Sequence, residues 1–134
     1  MTSAEALAAT LAILERDQLA AYVRMADALT GLRIALEVQE EAFHVHGGNM
    51  IAVEAASDAP VDAHVVTTRP AILALIDGDI DLLEAVKARK LKLRADISLM
   101  VRLARAERAF AEGAARARAV RRVLDQFRTT TLAP

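Results

Sequence analysis

The sequence predicts an α+β fold: a five-stranded, mostly antiparallel sheet with helices covering one face. Three observations carry this. Apolar residues recur at helical spacing over the first thirty positions, from Leu7 to Leu29. The rhythm changes to strict alternation at Leu32. A mixed stretch, residues 67–104, then reads as short helix, break, short helix, basic strand and new helix.

The chain has 134 residues, which suits one domain with one core. We expect a single unit: an N-terminal helix over 3–30, sheet and short helices over 31–96, and C-terminal helices over 97–128. Hydrophobic residues make up 54% but aromatics only 3%, so the core is aliphatic and small. The formal net charge of −1 gives no field to attract polyphosphate, and nucleic acid is not an expected partner. Cysteine is absent, which excludes disulfides and thiolate chemistry. No apolar run is long enough for a membrane span, and Glu5 interrupts the apolar N-terminus, so no secretion signal is read there. A cytoplasmic location is the expectation.

In the first helix Leu7, Leu11, Leu14, Gln18, Tyr22, Met25 and Leu29 share one face. Ser3 is the expected cap, without a capping box, and Gly31 stops the helix. The stripe packs on a sheet or forms a homodimer seam. Leu32, Ile34, Leu36 and Val38 then alternate with polar neighbours as a first strand. Phe43 and Val45 alternate with His44 and His46 in a second, and Gly47-Gly48-Asn49 turns the chain into a third strand over 50–55. A fourth spans 61–67, with Ala63, Val65 and Thr67 on one face.

Thr68 is an N-cap followed by Pro70 in the first turn. The short helix holds Ile72, Leu73, Leu75 and Ile76 and ends at Asp77-Gly78. Asp79 or Asp81 caps the next, which buries Ile80, Leu83 and Val86. Residues 90–94 alternate as a fifth strand, and Asp96 caps a helix whose apolar side is Ile97, Met100, Leu103 and Ala104. From Glu107 onward the chain is one amphipathic helix, or two broken at Gly113, and residues 129–134 should fray.

Order and residues together resemble the type-two sterol carrier protein (SCP-2 sterol transfer) domain. The parts that carry the resemblance are Val65-Val66-Thr67, the helix 70–76, Asp77-Gly78-Asp79-Ile80-Asp81, Ala85-Val86, and the basic strand Lys90-Leu91-Lys92-Leu93-Arg94 with Ala95-Asp96. Upstream, GLRIALEVQ and FHVHGGNMIAVE resemble the family's first three strands. The likeness covers roughly residues 5 to 110. Where the family often has glycine before and after the basic strand, this chain has Ala88 or Arg89, then Ala95.

The resemblance implies an apolar tunnel between sheet and helices that binds a fatty acid, a sterol or an acyl-CoA. It also implies that the second and fourth strands flank the first. On that footing the ligand-binding residues are Phe43, Val45, Val65, Leu73, Ile76, Leu93, Met100, Leu103, Phe110, Leu124 and Phe127. No catalytic residue, metal or cofactor is expected.

Other constellations have plainer readings. His44 and His46 have a metal-ligand spacing, and His64 sits on another strand, but no cysteine or placed carboxylate completes a site. A solvated strand face explains them better. Asp77, Asp79 and Asp81 lack the glycine position of a calcium loop and read as helix caps. Lys90, Lys92 and Arg94 share one strand face, as on a charged sheet edge. The C-terminal arginines form a solvated helix face. Two alternatives to ligand binding follow: a non-catalytic homodimerising module, or a small cyclase- or isomerase-type enzyme using the same cavity. The enzyme would draw on Tyr22, His44, His46 or His64.

Overall fold

Thr2, not Ser3, starts the first helix. Its hydroxyl accepts from the Glu5 N–H while the Glu5 carboxylate accepts from the Thr2 N–H, both at 3.0 Å. This is a capping box the sequence reading did not expect. In the computed structural model, which describes residues 1–132, the expected single N-terminal helix is two: α1 (Ser3–Asp17) and α2 (Leu19–Leu29). They meet at Gln18, whose backbone leaves the helical region at φ −138° and ψ 57°. The one polar residue of the stripe therefore marks a bend. Leu11, Leu14, Tyr22, Met25 and Leu29 are buried on both sides of it, so the stripe packs inside the chain.

Five strands follow: β1 (Arg33–Val38), β2 (Glu41–Gly47), β3 (Ile51–Ala55), β4 (Ala63–Thr67) and β5 (Lys92–Arg94). The sheet order is β3-β2-β1-β4-β5. All neighbours are antiparallel except β1 and β4, which are parallel. Thus β2 and β4 flank β1, and the basic strand is an edge, two residues shorter at its start than expected. Gly47 belongs to β2 rather than to the turn. A Cβ there would collide with the Leu29 carbonyl, so glycine lets the end of α2 rest directly on the sheet. The Gly31 N–H donates to the Gly47 carbonyl at 3.0 Å across that contact.

Thr68 caps α3 (Arg69–Ile76), with its hydroxyl accepting from the Ala71 N–H. Asp81 caps α4 (Leu82–Lys87) through a second capping box, closed by Glu84. This short helix buries Leu82 and Ala85, whereas Leu83 is 49% exposed. One register step separates these faces, and the capping box at Asp81 sets it. Asp96 caps α5 (Ile97–Arg116) by accepting from the Leu99 N–H at 2.8 Å. Ile97, expected on the apolar side, is 80% exposed because it starts the helix beyond the sheet's edge strand.

The C-terminal helices part at Ala117 (φ −100°, ψ 108°), not at Gly113, and α6 (Arg118–Leu132) follows. Gly113 lies inside α5. A Cβ there would sit 2.9 Å from Ala21 Cβ and 3.0 Å from a Leu14 methyl, so its role is close packing of α5 on α1 and α2. Helix also persists where fraying was expected: the Thr129 and Thr130 hydroxyls donate to the carbonyls one turn back. Residues 133 and 134 lie outside the described residues. Among those described, no helix is long and apolar enough to cross a membrane.

Glu41 ties the layers together. Its carboxylate accepts from the Ser3 N–H at 3.0 and 3.1 Å and from Arg69 at 2.8 Å. Burial alone would raise its pKa, but these hydrogen bonds outweigh it and hold the group below the usual value. The start of α1, β2 and the start of α3 are thereby joined at one corner.

Candidate ligand chamber

Alternation sorts each strand's side chains onto two faces. Ile34 and Leu36 of β1, Phe43 and Val45 of β2, and Val65 and Thr67 of β4 point toward the helices. Above them, all six helices contribute apolar side chains, Leu82 among them from α4. The space between them is a chamber of about 200 Å³, partly open to solvent. Its polar lining is Ser3, Thr10, Thr67 and Glu107. The Thr10 hydroxyl donates to the Ala6 carbonyl at 2.8 Å and that of Thr67 to the Lys90 carbonyl at 3.0 Å. The Ser3 hydroxyl is buried beside the Glu41 carboxylate.

Of the expected ligand residues, Phe43, Val45 and Val65 line the chamber from the sheet. Ile76 lines it from α3, Leu103 and Phe110 from α5, and Leu124 and Phe127 from α6. Three fall outside it. Leu73 is buried in a small satellite cluster with Ala6 and Phe127. Leu93 packs on the main core from the edge strand, and Met100 is only partly buried, one turn before the helix reaches the chamber. Contributions not foreseen come from α1 (Ala6, Leu7, Leu11), from α2 (Met25, Leu29) and from Leu91. The helical stripe was visible; its placement over the sheet was not.

Glu107 was also missed. It lies on α5 between Leu103 and Phe110, four residues after one and three before the other, so helical spacing points it inward with them. A carboxylate inside an apolar helical stripe was the available signal. Burial raises its pKa first, and the nearby Asp81 carboxylate raises it further; Arg108 offsets only part. The group titrates at about 7. It makes no hydrogen bond among the described residues.

The opposite face of the sheet is different in kind. Glu54, His44, Ala35, His64 and Arg94 stand in register across all five strands. Arg33 reaches diagonally over β2 to Glu54 at 2.7 Å. His64 lies 3.5 Å from Glu37, an ion pair when the imidazole is protonated. His44 is not solvated as expected: it is 4% exposed, and its Nδ1 has no partner among the described residues. Neighbouring side chains and the 57–63 loop wall it in beside a shallow groove. No group of three or more potential ligands is placed to hold a metal ion among the described residues. None of Tyr22, His44, His46 and His64 lines the chamber, and the Tyr22 hydroxyl accepts from the Ile51 N–H at 3.0 Å.

Known structures share this architecture. The solution structure of sterol carrier protein domain 2 of Helicoverpa armigera matches with a TM-score of 0.59 at 14% identity, covering 74% of this chain and 80% of that one. A crystal structure of sterol carrier protein 2 matches at 0.53 and 17% identity, over 85% and 94% of the two chains. The ubiquinone synthesis protein UbiJ-SCP2 matches at 0.53 and 18% identity, over 66% and 74%. No protein-family model matches the sequence, and no curated protein matches it. The fold is therefore that of the type-two sterol carrier proteins: a five-stranded sheet with helices laid on one face.

Proposed function

We propose that this protein binds an apolar small molecule in the chamber between sheet and helices, and releases it to another acceptor. The observation that carries the reading is the lining: side chains from both layers converge on a partly open apolar space in which Glu107 is the one ionisable residue. Burying an alkyl chain there contributes about 25 cal/mol per Å² of apolar surface removed from water, before the costs of ordering it. The names of the fold's relatives, sterol carrier and ubiquinone synthesis protein, point the same way.

The chamber's volume of about 200 Å³ refines the class. Pockets for drug-sized ligands run from roughly 300 to 1,000 Å³. A slender alkyl or prenyl chain fits better than a sterol nucleus, which requires Phe110 and Phe127 to move aside. Native mass spectrometry with decanol tests the reading. The wild-type protein should retain one equivalent, and Ala106→Phe, which fills the chamber from α5, should retain none while remaining folded. No retention by the wild type, or equal retention by the filled variant, overturns it.

A further inference from the structure

Ligands with a slender apolar chain differ mainly at their polar end, and the chamber is selective about polar ends. Its walls hold one acid, Glu107, and no lysine, arginine or histidine. Its hydroxyls at Thr10 and Thr67 already donate to backbone carbonyls. An anionic head brought inside would meet Glu107, with Asp81 beyond it at the start of α4, and find no cation among the lining residues. Arg108 follows Glu107 on α5, but its side chain is turned out to solvent. A desolvated carboxylate or phosphate without a counter-charge is strongly disfavoured.

We propose that Glu107 is the polar anchor of the chamber, and that it selects ligands ending in a neutral oxygen (a ketone, ester or hydroxyl) over fatty acids and acyl phosphates. The inference rests on the chamber being a ligand site. In the protonated state the Glu107 carboxyl donates to the ligand oxygen. The group itself supplies the donor, because it makes no other hydrogen bond among the described residues.

Protonation makes the selection depend on pH. The charged groups acting on Glu107 are Asp81 from α4, which favours the neutral acid, and Arg108 on its own helix, which opposes it. The sheet, α1, α2, α3 and α6 present no ionisable side chain to the chamber. Asp81 stays ionised near neutrality, since hydrogen bonds within its capping box hold its pKa down. The switch therefore belongs to Glu107, near pH 7.

Isothermal titration of the whole protein with methyl octyl ketone, decanol and decanoic acid tests this, at about pH 5.5 and about pH 8.5, on either side of the transition. The wild-type protein should bind the ketone roughly 3- to 10-fold more tightly at the lower pH, the worth of one hydrogen bond. It should reject decanoate at the higher pH. In Glu107→Gln, whose amide donates at every pH, ketone binding should be flat across the range and decanoate binding should gain. The wild-type profile alone decides if the variant folds poorly. Decanoate held as tightly as the ketone at the higher pH, or an unchanged ketone profile in Glu107→Gln, overturns the selection but leaves the ligand chamber standing. Retention of none of the three overturns both.

Discussion

The two faces of the sheet are built from alternate residues of the same strands, yet they are unlike in every physical respect. Val65 faces the chamber and is buried, while its neighbour Val66 stands on the other side between Glu37 and Lys92. Inside, the walls are apolar and the single acid is driven toward neutrality. Outside, charges pair across strands, and Arg33 keeps Glu54 ionised below its usual range, by a direct hydrogen bond first of all. Two carboxylates on one domain are thus pushed in opposite directions by which side of the sheet they see. Solvent access and partners set the chemistry of a residue here more than its type does.

The sharpest way to break the contrast is to put the same residue on each face. Val65→Glu should cost about 3–5 kcal/mol, the range for an uncompensated buried charge, and Val66→Glu, at a half-buried cross-strand position, about 1 kcal/mol. Urea unfolding reads both; equal losses would mean the chamber face is wet. A second test uses pH. Glu107 has a folded pKa raised from 4.5 to about 7, so the native state holds its proton longer and stability falls as pH rises across that interval. Glu54 and Glu41 have lowered folded values, so their contributions are present above the ordinary 4.5 and are lost in acid. Thermal melts of Glu107→Gln should lack the downward slope toward neutrality, and those of Glu41→Gln should lack part of the acid loss. The smallest effect is expected on the outer face: His64→Gln at about pH 8 should change stability by no more than about 0.5 kcal/mol, as surface substitutions usually do.

Much of this was legible because it is local. The capped starts at Thr68, Asp81 and Asp96 are spelled out by side chains that accept from the backbone three residues on. Strand alternation located Phe43, Val45 and Val65 on the chamber face. The Thr2 capping box and the break at Gln18 are local and still escaped; the rest was a matter of neighbours distant in sequence. Gly113 left open whether the helix breaks there; in α5 it is a notch for Ala21 and Leu14. Gly47 looked like a turn residue and is instead the flat spot on which α2 ends. Met100 and Leu93 have the right chemistry for a ligand wall, yet the chamber lies one helical turn and one strand away from them.

By itself the sequence determined the order of the strands, their faces and the caps at Thr68, Asp81 and Asp96, because period and hydrogen-bonding capacity act over a few residues. Tertiary structure alone decided that the α1 and α2 stripe lies over the sheet, and that the gap between layers stays open at about 200 Å³. It also made Glu107 something other than a surface acid. A pKa near 7 requires burial on α5 and the Asp81 carboxylate beside it, and those two meet only when α4 packs on α5.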